Sequence, residues 1–235
     1  MTQPSVRPTA PIAESEPARR FTAWPLWATA AGAFGFAATI VLDTRAGEPQ
    51  NMEYTVSVRD LADLDPTMFR FGGVVGYLAV LALVVFASVW HRRVVQRFPG
   101  SLGAPVVGYG ALVSAAALSL AYGWKGALGN YLHGAMEEGT YDDSGLYVYY
   151  MLNDFSPFIG WVGVMIGLLG LVWMSFAEGL VSRALGAVMV LFSVVPLLAV
   201  IVTGVPGLPF AAIVGLLVAG VWLAVGRSAI TQTAG

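Results

Sequence analysis

The chain of 235 residues has no cysteine, one lysine and little charge of either sign. The missing cysteine excludes disulfides, thiolate metal sites, cysteine nucleophiles and S-acylation. Charged residues make up 11% of the chain against about 25% in a soluble globular domain. Polar intervals reach only about 30 residues, below the roughly 40 that usually fold alone without disulfides or metals. A water-soluble core-and-shell protein is therefore excluded. The only histidines are His91 and His133, and both lie outside the long apolar stretches. Paired intramembrane histidines for haem are absent, as are a serine-hydrolase elbow, a phosphate-binding loop and a dinucleotide fingerprint. No ionisable residue falls inside the apolar stretches, which argues against a coupled pump or an ion channel.

Long apolar runs are abundant. Hydrophobic residues reach 57%, with a mean hydropathy of +0.73. Six uncharged stretches stand out: Trp24–Leu42, Phe71–Trp90, Ser101–Trp124, Phe155–Ala177, Ala184–Thr203 and Leu208–Gly226. Each has the length a helix needs to cross about 30 Å of hydrocarbon at about 1.5 Å per residue. The expected fold is all-α and polytopic, with six transmembrane helices in three hairpins and short extracytoplasmic helices in two outer loops. Residues 21–227 form the expected single transmembrane domain. Residues 1–20, rich in Pro, Ser, Thr and Glu, read as a disordered tail, and 228–235 as a second tail. Arg19, Arg20 and Phe21 faintly resemble a twin-arginine signal, but the first stretch stays apolar to Leu42 and is expected to remain as an anchor.

Charge fixes the expected orientation. With the N-terminus cytoplasmic, Arg7, Arg19, Arg20, Arg92, Arg93, Arg97, Arg183 and Arg227 lie inside, and Arg45, Arg59, Arg70 and Lys125 outside. That 8-to-4 split follows the positive-inside rule. Eleven of the 14 acids fall on the outer side. An even number of crossings then puts both termini in the cytoplasm of a bacterial cell membrane. Arginine excess with abundant Ala, Gly and Val suggests a high-GC bacterial genome.

Helix punctuation supports the hairpins. Asp65-Pro66, Ser156-Pro157 and Leu208-Pro209 each precede an apolar stretch, with Pro suited to the first helical position and Asp65 and Ser156 to capping. Pro196 lies inside the fifth stretch and should kink it. Ala28/Gly32, Gly72/Gly76, Gly163/Gly167 and Gly186/Val190 have helix-packing spacing, serving the bundle itself or a homodimer face. Trp24, Trp27, Trp90, Tyr122 and Trp124 read as an aromatic belt at headgroup depth.

The outer loops carry the candidate site. In the first, Tyr54–Val58 reads as extended, and Ser57 with Asp60 as a capping box before a short helix. In the second, Asp142, Asp143 and Ser144 can cap a helix carrying Tyr147, Tyr150 and Asp154 on one stripe. Asn130, His133 and Glu137 form a matching stripe if the third span continues outward. Lys125, Asn130, His133, Tyr150, Asn153 and Asp154 could then line an outer vestibule, or simply be solvated loop residues. Asp154 and His133 are the acid–base candidates should the protein be an enzyme. His133 with Glu137 makes a poor metal site, and neither metal nor cofactor is expected.

Tyr149-Tyr-Met-Leu-Asn-Asp154, Phe158-Ile-Gly-Trp161, Leu180-Val-Ser-Arg-Ala-Leu-Gly186 and Thr203-Gly-Val-Pro-Gly-Leu-Pro209 resemble uncharacterised six-helix actinobacterial integral membrane proteins. The resemblance covers about Tyr147 to Gly226 and implies a multi-pass topology without an assigned activity. The leading expectation is a non-enzymatic accessory, sensor or small-solute or lipid-handling protein. Alternatives are an enzyme acting on a lipid or polyprenyl substrate at the outer leaflet, and a passive facilitator using a cavity at the Pro196 kink. Convergence of His133, Asn153 and Asp154 within about 4–6 Å would favour the enzyme. Expected partners are membrane lipids and a second copy or another membrane protein, not nucleic acid.

Overall fold

A computed structural model describes residues 21–47 and 55–232. All regular structure among them is helical. The N-terminal tail to residue 20 and Tyr54 of the expected extended piece lie outside the described residues. Helix α1 spans Leu26–Phe36 and widens into a π-turn at Ala37–Val41. A 3₁₀ helix follows at Val58–Asp63, where the Ser57 amide and hydroxyl both donate to the Asp60 carboxylate (2.6 and 3.0 Å). The remaining helices are α2 (Pro66–Trp90, with a π-turn at His91–Val95), α3 (Gly103–Tyr131), α4 (Asp143–Ile159), α5 (Val162–Phe176), α6 (Arg183–Thr203) and α7 (Ala212–Val225, preceded by a 3₁₀ turn at Leu208–Ala211).

Five helical stretches are long and apolar enough to cross a membrane: Pro66–Val95, Gly103–Tyr131, Asp143–Phe176, Arg183–Thr203 and Leu208–Val225. Leu26–Val41 is apolar but shorter. Its 11 helical and 5 π-turn residues cover about 24 Å at about 1.5 Å each. The outward surface of these helices is apolar, including Leu81, Val113, Ile166, Leu198, Ile201 and Val202. An apolar exterior on this scale suits lipid rather than water.

Local chemistry sets the helix ends. Asp65 caps α2 by accepting from the Thr67 amide (2.8 Å), with Pro66 in the first turn. Asp142 caps α4 by accepting from the Gly145 amide (2.8 Å). Ser156-Pro157 does not start a helix, contrary to the sequence reading. Asp142 begins the helix much earlier, Pro157 lies inside α4, and the chain breaks only at Gly160-Trp161 before α5. Gly204 ends α6 with φ +70°, a left-handed conformation that glycine adopts without a Cβ clash.

Helices α1, α2, α3, α5 and α7 close into a ring. One small void, of about 20 Å³, lies on its axis and touches all five, lined by residues such as Ala28, Phe86, Ala111, Leu168 and Leu216. A space this size barely admits one water, and apolar walls leave it dry. Helix α6, the home of Pro196, packs against α5 and only lightly against α7. Gly76 and Gly163 are used inside the ring. A Cβ on Gly76 would lie 2.1 Å from Tyr122 Cγ, and one on Gly163 would lie 2.4 Å from the Gly110 carbonyl oxygen.

Two members of the expected aromatic belt are core residues instead. Trp90 is fully buried, edge-on to Trp24, and donates from Nε1 to the Ala104 carbonyl (2.7 Å). Tyr122 is fully buried against Gly76. Both sit against a glycine on the neighbouring helix, Gly76 for Tyr122 and Gly108 for Trp90, which hydropathy does not reveal.

A second, smaller core caps the end of the bundle where α3 ends and α4 begins. Leu61 and Leu64 from the first loop pack with Phe69, Leu128, Leu132, Leu146 and Tyr150. The two outer loops therefore form one unit with the helix ends.

Candidate functional site

Helix α3 runs seven residues beyond the predicted end of its span, so Lys125 is a helical residue inside the bundle. Its side chain is fully buried. Nζ donates to the carbonyls of Ala38 (2.8 Å) and Leu42 (3.2 Å) and to Asp43 Oδ1 (3.3 Å). These acceptors belong to the π-turn ending α1 and to the residues just after it. A helix C-terminus offers unpaired carbonyls and partial negative charge, and an ammonium satisfies both. Gly72 makes the room, since a Cβ there would lie 2.9 Å from Lys125 Cδ. Asp43 also meets Arg45 at 3.6 Å. The Arg45 guanidinium in turn lies over the Phe158 ring, 5.8 Å from its centroid.

A polar knot lies one turn deeper. Thr39, on the same π-turn, shares a hydrogen bond with the Tyr122 hydroxyl (2.9 Å) and receives one from Trp161 Nε1 (3.4 Å). All three residues are fully buried. The π-turn thus presents its backbone to Lys125 and a side chain to Tyr122, tying α1 to α3 and to the α4–α5 break.

The buried stripe of α4 consists of Leu146, Tyr150, Asn153 and Pro157. Gly160 lies against Leu118, and Gly163 against Ser114. That antiparallel register, carried outward, sets Asn153 at the height of Lys125. Asn153 is buried, and its Oδ1 has no partner among the described residues, nor does Ser156 Oγ. Asp154 is half-buried and feels the charges of Arg45 and Asp43. The Tyr150 hydroxyl accepts from the Ala46 amide (3.0 Å), and the Tyr147 hydroxyl donates to the Val56 carbonyl (3.1 Å).

Lys125, Tyr150, Asn153 and Asp154 thus gather at the end of the ring where α1 ends. Asn130 and His133 do not join them. Asn130, on the last turn of α3, accepts from the Glu137 amide through its backbone carbonyl (3.0 Å). The helix ends at Tyr131, so His133 and Glu137 share no helical stripe, contrary to expectation. The exposed His133 ring bonds Glu138 through Nδ1 (3.2 Å) and Asp143 through Nε2 (3.1 Å). Asp154 lies eleven residues beyond Asp143 on α4, about 16 Å away at about 1.5 Å per residue. His133 and Asp154 therefore cannot share one proton transfer in this arrangement. The two carboxylates on His133 occupy opposite ring edges, and no group of three metal-ligating side chains occurs among the described residues.

Hydrogen bonds to Glu138 and Asp143 raise the His133 pKa above its ordinary 6.5. The Gly134 amide and then His133 lower that of Glu138. A raised histidine pKa contributes stability that is complete below the unfolded value and fades as pH rises through the folded one. The difference in melting temperature between wild type and His133→Ala should therefore be largest near about pH 6 and shrink toward about pH 9. A pH-independent difference would rule out a stabilising pairing of His133 with Glu138 and Asp143.

On the opposite side, Glu178 caps α3. Its carboxylate accepts from Ser101 Oγ (2.5 Å) and the amides of Leu102 (2.8 Å) and Gly103 (3.1 Å). Burial pushes the carboxyl up, but these bonds and one to Trp173 outweigh it and hold the pKa below the usual value. The chain end returns there as well: Ile230 is buried, and Arg97 donates to the Gln232 carbonyl. Sequence reasoning missed Thr39, Asp43, Arg45 and the capping role of Glu178, since each acts on a partner more than 70 residues away.

No protein-family model, curated protein or solved structure matches this chain.

Proposed function

We propose that the chain is a six-span protein of the cytoplasmic membrane, with both termini cytoplasmic and a non-enzymatic, lipid-handling role. Leu26–Val41 serves as the sixth span. Although short, it closes the ring between α2 and α7, and Lys125 satisfies the carbonyls at its outer end. Five arginines at or just beyond the span ends, Arg92, Arg93, Arg97, Arg183 and Arg227, then face the cytoplasm.

The observation that carries the lipid-handling reading is where the open space lies. The ring axis holds only about 20 Å³ between apolar side chains. A groove of about 870 Å³ opens instead on the outside, between α6 and α7. Among the described residues the void on the ring axis is walled by apolar side chains and offers small solutes no polar path, whereas lipid has direct access to the groove. The separation of His133 from Asp154 also removes geometric support for the acid–base pair of the enzyme reading.

Reporter fusions at both termini test the topology. Both should report from the cytoplasm, and reversing Arg92 and Arg93 to Glu should redistribute them, since juxtamembrane basic residues set orientation. Asp154→Ala should leave them unchanged. Termini on opposite sides of the membrane would overturn the six-span reading.

A further inference from the structure

Helix α4 carries a proline in its last turn, Pro157, with Asn153 and Ser156 just before it. Proline has no N–H, so the backbone carbonyl of Asn153, four residues back, receives no hydrogen bond from position 157. Two side-chain oxygens lie in the same turn. Asn153 Oδ1 and Ser156 Oγ are both buried and have no partner among the described residues. Asn153 as a whole is 2% exposed. Helix positions three apart share a face, with Cβ atoms about 5–6 Å from each other. Two orphan oxygens and a carbonyl deprived of its helical donor thus lie within one turn of α4.

Register shows what this turn faces. Leu146 and Tyr150 share a core with Leu132 and Leu128, and a Cβ on Gly160 would lie 2.6 Å from Leu118 Cδ2. Between these anchors Asn153 stands opposite Lys125, and Pro157 opposite Ala121. Ala121 is fully buried and its side chain is a single methyl, so α3 leaves room beside the proline turn.

Charge selects the occupant. A group of oxygens suits a small cation as well as a neutral donor. The charged groups around the turn, Lys125 and Arg45 against Asp43 and Asp154, balance, so nothing compensates an added positive charge. Lys125 Nζ directs its donors to Ala38, Leu42 and Asp43, away from Asn153. A water molecule donates twice and accepts from a serine hydroxyl, so it can meet all three groups at once. Ordered waters and hydroxyl side chains also satisfy the backbone groups that proline frees in spanning helices.

We propose that one internal water occupies the proline turn of α4, bonded to Asn153 Oδ1, Ser156 Oγ and the Asn153 backbone carbonyl. It stands in for the N–H that Pro157 lacks and lets α4 continue to Ile159 instead of breaking at Ser156. The site depends neither on the lipid-handling role nor on the topology proposed above.

Unfolding of the full-length protein in mixed micelles tests the site by the sign of the effect. With the water in place, Ser156→Ala and Asn153→Leu should each lower the folding equilibrium constant about tenfold, the effect of one lost buried hydrogen bond. The double variant should lose less than the two single losses combined, because both act on the same water. Unhydrated oxygens predict the reverse, since deleting a buried unpaired polar group stabilises. A single variant more stable than wild type, or strictly additive losses, overturns the proposal. A wild-type crystal structure provides a readout that needs no variant to fold. It should show one water within about 3 Å of both side-chain oxygens, and the absence of that density overturns the proposal. Wild-type melting temperatures should agree in sodium chloride and choline chloride of equal ionic strength. A rise specific to sodium that Asn153→Leu removes would assign the turn to a cation and overturn the water.

Discussion

Lys125→Ala should destabilise the protein by about 3–5 kcal/mol, the cost of removing one partner from a buried ion pair. The substitution strips donors from two carbonyls and from Asp43 Oδ1 at the end of α1. It also leaves a hole between Gly72 and the π-turn, because the lysine stem fills that space. Each loss counts for more here than at an exposed site, since neither protein nor water replaces the donor. Lys125→Met separates the two contributions. It keeps most of the stem volume and loses only the ammonium, so it should cost less than the alanine variant. Adding Asp43→Asn to Lys125→Met should recover part of the loss by removing an uncompensated carboxylate. Unfolding in mixed micelles, followed by tryptophan fluorescence, measures the series. An alanine variant within about 0.5 kcal/mol of wild type, the range of an ordinary surface change, would show that the Lys125 bonds to the end of α1 do not hold the fold.

Gly110→Ala should separate α3 from α5. A Cβ at Gly110 would lie 2.3 Å from the Gly163 carbonyl oxygen and 2.8 Å from the Gly167 amide nitrogen. Both obstacles are backbone, so no rotamer change relieves them and the helices must move apart. The loss should reach or exceed about 3 kcal/mol, the upper end for an overpacked core. Gly126→Ala is the matched control on the same helix, because its Cβ meets nothing within 4 Å. It should be neutral or slightly stabilising, as alanine is the better helix former. Equal melting temperatures for the two variants would contradict the close approach of α3 and α5.

The helical character was legible because hydrocarbon demands long, uncharged segments with their backbone groups paired internally. The capping box at Ser57 and Asp60 and the caps at Asp65 and Asp142 were legible too, since capping is a contact between residues two or three apart. Ser156-Pro157 misled for the same reason. The pair has the local signature of a helix start, but Asp142 had already started the helix and α4 carries the proline in its last turn. Lys125 was visible as a lone cation near a span end. Nothing near it in sequence indicated that α3 would continue and carry it to the carbonyls of α1.

The site divides in the same way. The sequence could nominate Tyr150, Asn153 and Asp154 as neighbours, because helical spacing alone brings them to one end of α4. It could not separate His133 from Asp154, since that depends on where α3 ends and how the outer loop returns. The groove between α6 and α7 had no sequence signature at all.

Composition and hydropathy by themselves determined the solvent of this protein, its helical class and the ends of several helices, because those follow from the transfer of side chains and peptide groups between neighbours, water and lipid. Only the tertiary structure decided which charges are consumed as helix caps, which tryptophan and tyrosine are core, and where the bundle stays open. Those outcomes depend on the distance between residues far apart in the chain, and that distance is set by how closely the glycine faces let the helices approach.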